Sequence, residues 1–481
     1  MRDGQRIALN AAVMFLKQVV MALLGVAFIG YMARTVGVAA WGELQASLAL
    51  AAMVTVLAGV GVRGYLGREV AVHPERGPAH LGAALMIRGV AGTAVLGVTV
   101  AVVFFTSTGP FATLLVLAAL SQLATLLYTT MWLAFEAHER LQYIAYTEIG
   151  ARLFVIALAS ALLASGAGVV AAAAALAIGN IVELAITYGL IRARFYRPEL
   201  GASARELLRI ARLSLPIGIL GALGGALQQT DRVLLRALCD EEAVGIYSAA
   251  WVLSDNFRMV SDLFLGATFA AGMRLYARDQ DAFGGLFRSS MSAAALLGLP
   301  IAAGVIVIAP DLIALVYRSD SYAPAAPVLQ LLVIDVPITF AFQVGALPLL
   351  AARREVVMVK LLLGALAANV ALNLILVPLY RAPGAAAATL IASAGALVAS
   401  WALTWRWLRL VEWRRVAAIA AATALMACAA HAARALAGVW AAVAVGVAVY
   451  PVLLAALRAV TWRDVRALLQ RRVPPAPAPA A

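Results

Sequence analysis

Charge is scarce in this 481-residue chain. Only 13% of residues are Asp, Glu, Lys or Arg, against about 25% in soluble domains. Lysine is nearly missing, with Lys17 and Lys360 alone. No GxxxxGKS/T phosphate loop occurs, so nothing points to ATP hydrolysis. Cysteine is almost absent too. Cys239 and Cys428 lie far apart, each in or beside an apolar run, so they form no disulfide framework and read as packing residues. The four histidines (His73, His80, His138, His431) lack ligand spacing and acidic companions, so no metal and no cofactor is expected. No His/Asp/Ser constellation suggests a hydrolase, and no catalytic residue is assigned. One DxD occurs, Asp279-Gln280-Asp281. A glycosyltransferase would use such a pair to hold a metal and a sugar nucleotide, but no α/β domain surrounds it.

What fills the chain is apolar. Hydrophobic residues make up 64% and mean hydropathy is +0.94. That excess cannot be hidden in one core, because much of any folded surface faces solvent. The solvent for most of this surface must be lipid. A soluble globule, a disordered chain and a secreted disulfide scaffold are excluded. Net charge is +13, which in a soluble protein would suggest nucleic acid. Here the basic residues sit between apolar runs, so they report membrane topology and no nucleic-acid partner is expected.

Fourteen apolar stretches are long enough to span a bilayer. They cover 12–33, 44–62, 81–105, 111–135, 143–164, 168–191, 213–235, 243–270, 286–308, 324–351, 356–378, 384–408, 415–433 and 437–457. Their continuity favours helices over a barrel, and the first run is too long and too well followed for a cleaved signal. With the N-terminus inside and residues near span ends counted with the adjoining side, 27 of the 37 Lys and Arg fall in cytoplasmic segments, six fall outside and four (Lys17, Arg88, Arg152, Arg258) lie within spans. Both termini are therefore expected in the cytoplasm. The longest loop, near 192–212, is Arg-rich, and the end of the chain, VPPAPAPAA, is linker-like.

The chain also repeats itself. ARTVGVAAWGELQASLAL after span one resembles RALCDEEAVGIYSAAWVL after span seven. Aligning Gly42 with Gly245 pairs Leu44 with Tyr247, Ala46 with Ala249 and Leu50 with Leu253, an offset of 203 residues. GVVAAAAALA from Gly168 resembles GAAAATLIAS from Gly384, an offset of 216. Six spans separate each pair, so the copies share an orientation and a pseudo-twofold axis runs along the membrane normal. The expected fold is an all-α integral membrane protein with two six-helix lobes, 1–200 and 201–410. Two additional helices follow at 411–460, then a basic, Pro/Ala-rich cytoplasmic tail at 461–481.

Charges inside spans are costly, about 2.5–3.5 kcal/mol each on insertion scales, so those retained are informative. Glu148 and Arg152, spaced i,i+4 with the acid first, fit a local ion pair. Glu183 stands alone among small residues, and Arg88 is near enough to the cytoplasmic surface to snorkel. Asp335 lies within span ten. Asp255, Arg258 and Asp262 share one face of span eight, and span seven ends Gln228-Gln229-Thr230-Asp231-Arg232. Lys17 lies in span one, and Arg34 and Arg63 flank spans one and two. If the halves are related, Lys17, Arg34, Arg63, Arg232 and Arg258 line a cationic cavity between them. Arginine's fork and lysine's point charge suit phosphate. Asp231, Asp255 and Asp262 then serve as coupling or ion-pair groups, or lock the bundle structurally. The glycines of GALGGAL (221–227) and Pro216, Pro300, Pro337 and Pro348 suit bending or close packing.

SLPIGILGALGGALQQTDRVLLRALCDEEAVGIYSAAWVLSD (214–255) resembles the middle motif of the Wzx-like polysaccharide flippases. There a proline opens span seven (Pro216), an Asp-Arg pair ends it (Asp231-Arg232) and Gly-x-Tyr-x-x-Ala opens span eight (Gly245, Tyr247, Ala250). NVALNLILVPLYRAPGAAAATLIAS (369–393) resembles the family's Asn-x-x-x-Asn, Pro and Gly-Ala-Ala motif. The ARTVG…WG exit of span one is similar to the family's opening, with Val36 departing from the usual Leu-Gly. The family belongs to the multidrug/oligosaccharidyl-lipid/polysaccharide exporter superfamily. The resemblance implies two lobes in a V, alternating access and an ion gradient or membrane potential as driving force. It implies a flippase of the bacterial inner membrane that moves undecaprenyl-diphosphate-linked oligosaccharide between leaflets, with a polysaccharide polymerase and glycosyltransferases as partners. Alternatives are a cation-coupled multidrug exporter, a lipid II flippase, a membrane glycosyltransferase or polymerase, and a non-transporting scaffold. Lys17 in span one argues against the drug branch, and short outer loops argue against the polymerase.

Overall fold

The computed structural model describes residues 3–59, 61–106 and 109–460. The tail expected over 461–481 lies outside the described residues. Among them the chain is helical and contains no strand. The first half comprises α1 (Asp3–Val36), α2 (Val38–Gly59), a short α3 (Val62–Val72), α4 (Gly77–Thr106), α5 (Pro110–Ala137), α6 (Gln142–Ala164) and α7 (Val169–Arg194). The second half comprises α8 (Ala204–Leu238), α9 (Glu241–Arg278), α10 (Gln280–Tyr317), α11 (Ala325–Ala351), α12 (Glu355–Leu403) and α13 (Trp405–Leu408). Then comes α14 (Trp413–Ala456).

Local chemistry sets the helix starts. Ser203 caps α8 by accepting from the backbone N–H of Glu206, which completes the Ser-x-x-Glu pattern of a capping box. Asp240 caps α9 by accepting from Ala243, and Glu241 and Glu242 follow in the first turn, where the helix dipole favours acids. Pro110 opens α5, where its missing N–H costs nothing. Asp279 accepts from the N–H groups of Asp281 and Ala282 at the start of α10. The DxD is thus a helix cap.

Ten helices are long and apolar enough to cross a membrane, or eleven if the two segments of α8, which meet at 61°, count as one span. The sequence leads to an expectation of fourteen, and the difference has visible sources. α12 continues past a non-helical Arg381 and α14 past a non-helical Gly438. Each joins two runs that the sequence separates. α9 carries Asp255, Arg258 and Asp262 between its charged ends and falls outside the apolar count. α3, eleven residues of nearly neutral hydrophobicity, was not expected at all.

Within the first half α5 packs on α2, α4 and α7, and α6 on α1 and α7; within the second, α11 packs on α9, α10 and α12, α8 on α12 and α14 on α10. Between the halves α2 lies along α8 and α9, α3 meets α8 and α1 touches α10. Phe28, Trp41, Tyr247, Phe287 and Phe340 belong to one buried cluster that runs through both halves. Phe105, Leu436 and Trp440 are exposed, as suits a surface solvated by lipid tails.

The junction of α2 and α9 has the signature of the repeat. A Cβ on Gly42 would stand 1.8 Å from the carbonyl oxygen of Glu241, and one on Gly245 would stand 2.2 Å from that of Val38. An offset of 203 residues carries Val38 to Glu241 and Gly42 to Gly245. Each contact is therefore the image of the other, as an isologous twofold junction requires. Glycine is needed at both positions because the backbones touch. On the same side Tyr322 donates to the Ala33 carbonyl and Tyr317 to that of Ala249, joining the ends of α1 and α10 to their neighbours.

Candidate functional site

Asp231, buried at 4% exposure near the end of α8, collects four donors. Asn369 and Asn373 of α12 donate to Oδ1 at 3.0 and 2.9 Å. The hydroxyls of Tyr247 (α9) and Thr389 (α12) donate to Oδ2. All four are neutral. Asn369 and Asn373 reach one oxygen together because an i,i+4 spacing stacks them on one helix face. Removing a carboxylate from water costs several kcal/mol, and hydrogen bonds to a charged group return roughly 1.5–3 kcal/mol each. Four of them offset the cost without a cation.

Arg232 points elsewhere, although the two side chains are adjacent in sequence. Its guanidinium is buried, donates to Gln45 of α2 at 3.3 Å and to Gln229, and lies 4.0 Å over the Trp251 ring. The Asp231–Arg232 pair read from the sequence is therefore not a contact. Successive helical residues diverge by about 100°. Arg232 instead bridges the halves, since Gln45 belongs to the first and Trp251 to the second.

A cavity of about 210 Å³ opens beside the Asp231 cage. Its polar lining is Gln228, Arg258, Thr339, Gln343, Asn369 and Thr389, with Ser393 beyond. All these residues come from α8, α9, α11 and α12, so the cavity lies in the second half. Arg258 is 26% exposed and stands 3.6 Å from Asp335, which is nearly sealed. Asp335 also accepts from Thr339, and its Oδ1 has no partner among the described residues. The ion pair is loose and one-sided. Asp255, half-buried on the turn before Arg258, completes the charged face. Asp262 is exposed and accepts from Gln343 at 2.9 Å.

The first half holds its own basic group. Lys17, 7% exposed, is 2.7 Å from Glu148, so the partner of Glu148 is Lys17 and not the neighbouring Arg152. Lys17 and Arg63 lie 6.0 and 5.9 Å from the same ring, Trp132 of α5, and Arg63 pairs with Glu136. Arg88 turns inward to the Thr130 hydroxyl, where snorkelling had been expected. Arg34 is exposed at the end of α1, over Tyr31. Gln18 touches Met259 at 2.7 Å, which brings α1 against α9 next to Lys17 and Arg258. Of the five basic residues read as one cavity lining, Arg258 lines the cavity. Lys17 and Arg63 gather at Trp132, Arg232 sits in the junction and Arg34 stands apart.

The sequence reading assigned no role to Asn369, Asn373, Thr389, Tyr247, Gln45, Trp251 or Trp132. The Asn-x-x-x-Asn spacing within an apolar run was the available signal for the cage. Outside the spans, Asp240 is held below the ordinary carboxylate value of 3.8 by the Ala243 N–H first and then by Arg381. That clamp joins the α8–α9 turn to the break in α12.

Residues 7–269 match the model of a family described as polysaccharide biosynthesis protein. No curated protein matches the chain. Among solved structures the chain is similar to the lipid II flippase MurJ in its inward closed conformation. The TM-score is 0.73 and the identity 14%, over 95% of this chain and 100% of that one. It is similar to a multidrug resistance MATE family transporter of the MOP superfamily, inward-facing. There the TM-score is 0.60 and the identity 16%, over 83% and 98% of the two chains. It also resembles a MOP superfamily transporter from Pyrococcus furiosus noted for reverse polarity of its binding pocket. Here the TM-score is 0.56 and the identity 16%, over 84% and 95%. At these identities the likeness establishes the fold.

Proposed function

The chain belongs to the polysaccharide biosynthesis protein family, and we propose that it is a flippase for an anionic, lipid-linked glycan. The substrate class is undecaprenyl-diphosphate-linked oligosaccharide. Residues 1–200 and 201–410 act as the two rocking lobes, the segment 411–460 as an accessory pair, and both termini face the cytoplasm of a bacterial inner membrane. Glycosyltransferases supply such a substrate and a polymerase consumes it.

The observation that carries this reading is the Arg258–Asp335 contact. A guanidinium that is a quarter exposed, 3.6 Å from its acid and facing a largely apolar cavity with a few polar side chains is free to exchange that acid for a phosphate. Arginine's fork can then take two phosphate oxygens at once. Lys17 approaches from the first half across the α1–α9 contact, and Arg63 from α3, which meets α8. Arg232, pinned by Gln45, reports whether the halves are together. Asp231, caged by neutral donors, is the coupling group. It can exchange a proton or a monovalent cation without breaking an ion pair.

The test is transfer of a fluorescent undecaprenyl-diphosphate oligosaccharide between leaflets of proteoliposomes. Arg258→Gln should slow transfer at least tenfold, with uncharged lipid-linked sugar as the control. Wild-type rates in that variant would remove Arg258 from the mechanism. A second reading follows from the likeness to the lipid II flippase over 95% of this chain. Lipid II offers the same diphosphate chemistry, and using it as the probe separates the two. Efflux of cationic dyes without glycan transfer would favour a drug exporter.

A further inference from the structure

Unspent polar groups lie in the first half, on α7. Glu183 is 3% exposed and Thr187, one turn further on the same face, is 0% exposed. Oε1 of Glu183 and the Thr187 hydroxyl have no hydrogen-bond partner among the described residues. One turn earlier Asn180 does find partners, the hydroxyls of Ser121 and Thr125 on α5. So the α5–α7 interface is built to accept polar groups, yet leaves these two unspent.

The charged and titratable groups that face Glu183 are Lys17 of α1, Tyr128 of α5, and Glu148 and Arg152 of α6. Lys17 is already committed to Glu148 at 2.7 Å. Among the described residues no cation touches Glu183. A buried carboxylate without a contacting cation or donor is costly by several kcal/mol, and adding a proton removes the charge. The position equivalent to Asp231 in the first half is Phe28, so this half has no counterpart of the caged aspartate.

We propose that Glu183 is a proton-binding site of the first half, loaded in the conformation described here. Unloading is a single transfer. The O–H bond of Glu183 breaks and its proton passes to a water molecule admitted when α1 moves from α9. The carboxylate left behind takes a share of Lys17 from Glu148, and the ammonium keeps its three protons. Thr187 offers the hydroxyl that bonds the carboxylate while the proton is away. The site adds a titrating group to the flipping cycle, but its occupancy is measurable without flipping.

Infrared spectroscopy of the full chain in lipid nanodiscs reads the protonated-carboxyl C=O stretch. Glu183 is the one buried glutamate among the described residues, so carbon-13 labelling of glutamate in the wild-type chain should shift one such band. Glu183→Gln should delete it. The labelled wild type decides the point even where the variant folds poorly. Absence of any glutamate-derived protonated-carboxyl band overturns the proposal. In proteoliposomes, Glu183→Gln should slow flipping about tenfold and flatten its pH profile. An unchanged pH profile overturns the exchange step. A wild type that flips nothing counts against the flippase reading instead and leaves the infrared result standing.

Discussion

Asp231 shows how a residue's neighbours in space replace its neighbour in sequence. Asp-Arg reads as a salt bridge on the page, but consecutive helical side chains diverge, and the carboxylate finds Tyr247, Asn369, Asn373 and Thr389 instead. All four lie in the stretches 214–255 and 369–393, so the location of the site was legible while its chemistry was not. Asp231→Ala should strand three buried donors, Tyr247, Asn369 and Asn373, at roughly 1–3 kcal/mol each. A drop of many degrees in the thermal midpoint of the detergent-solubilised chain is the expected result. A midpoint within a degree or two of wild type would show that the cage contributes little. Arg232 makes a complementary case. Lysine keeps its charge but cannot bond Gln45 and Gln229 while stacking on Trp251. Arg232→Lys should therefore behave like Arg232→Gln in the same assay, and rescue by lysine would contradict the bridging role.

At the scale of elements, continuous apolar runs carried most of the fold, because a helix of membrane length leaves an unmistakable stretch of sequence. The break at Arg381 falls between two runs that the sequence separates, and the break at Gly438 falls just inside the start of the last run. α3 escaped because it is short and weakly apolar, with nothing to distinguish it from a loop. The repeat was legible through Gly42 and Gly245, and the structure gives their reason in a backbone-to-backbone contact. Gly42→Val and Gly245→Val should each cut the yield of monodisperse protein, by steric conflict at one and the same junction. The double variant should then add less than the sum of the two losses, and full additivity would contradict a shared junction. The α8–α9 turn offers a pH test. Asp240 sits below the ordinary value of 3.8 when folded. Its stabilising effect is therefore present at neutral pH and is lost as pH falls below about 4 through the folded value. The stability gap between wild type and Asp240→Ala should hold steady above about pH 5 and narrow below it. A gap independent of pH would show that charge plays no part in the cap.

For the whole molecule, the arrangement of polar groups matters more than their number. The sequence gathered five basic residues into one lining because related halves should face each other. The fold instead places Arg258 at a cavity in the second half, Lys17 and Arg63 at Trp132 in the first and Arg232 at the junction between them, and leaves Arg34 exposed at the end of α1. Spacing along one helix is readable from sequence, whereas which helices abut depends on packing of small residues that look alike throughout this chain. If the chain flips a diphosphate-linked glycan, the halves must part where α1 meets α9. Gln18 and Met259 touch there, and with Cys239 and Cys428 replaced by serine a cysteine pair at 18 and 259 can be bridged by a short cleavable reagent. The decisive measurement is glycan flipping in proteoliposomes before bridging, after bridging and after cleavage. Flipping that stops on bridging and returns on cleavage is the expected result. Flipping that continues through the bridge, or never exceeds that of protein-free vesicles, would contradict the account.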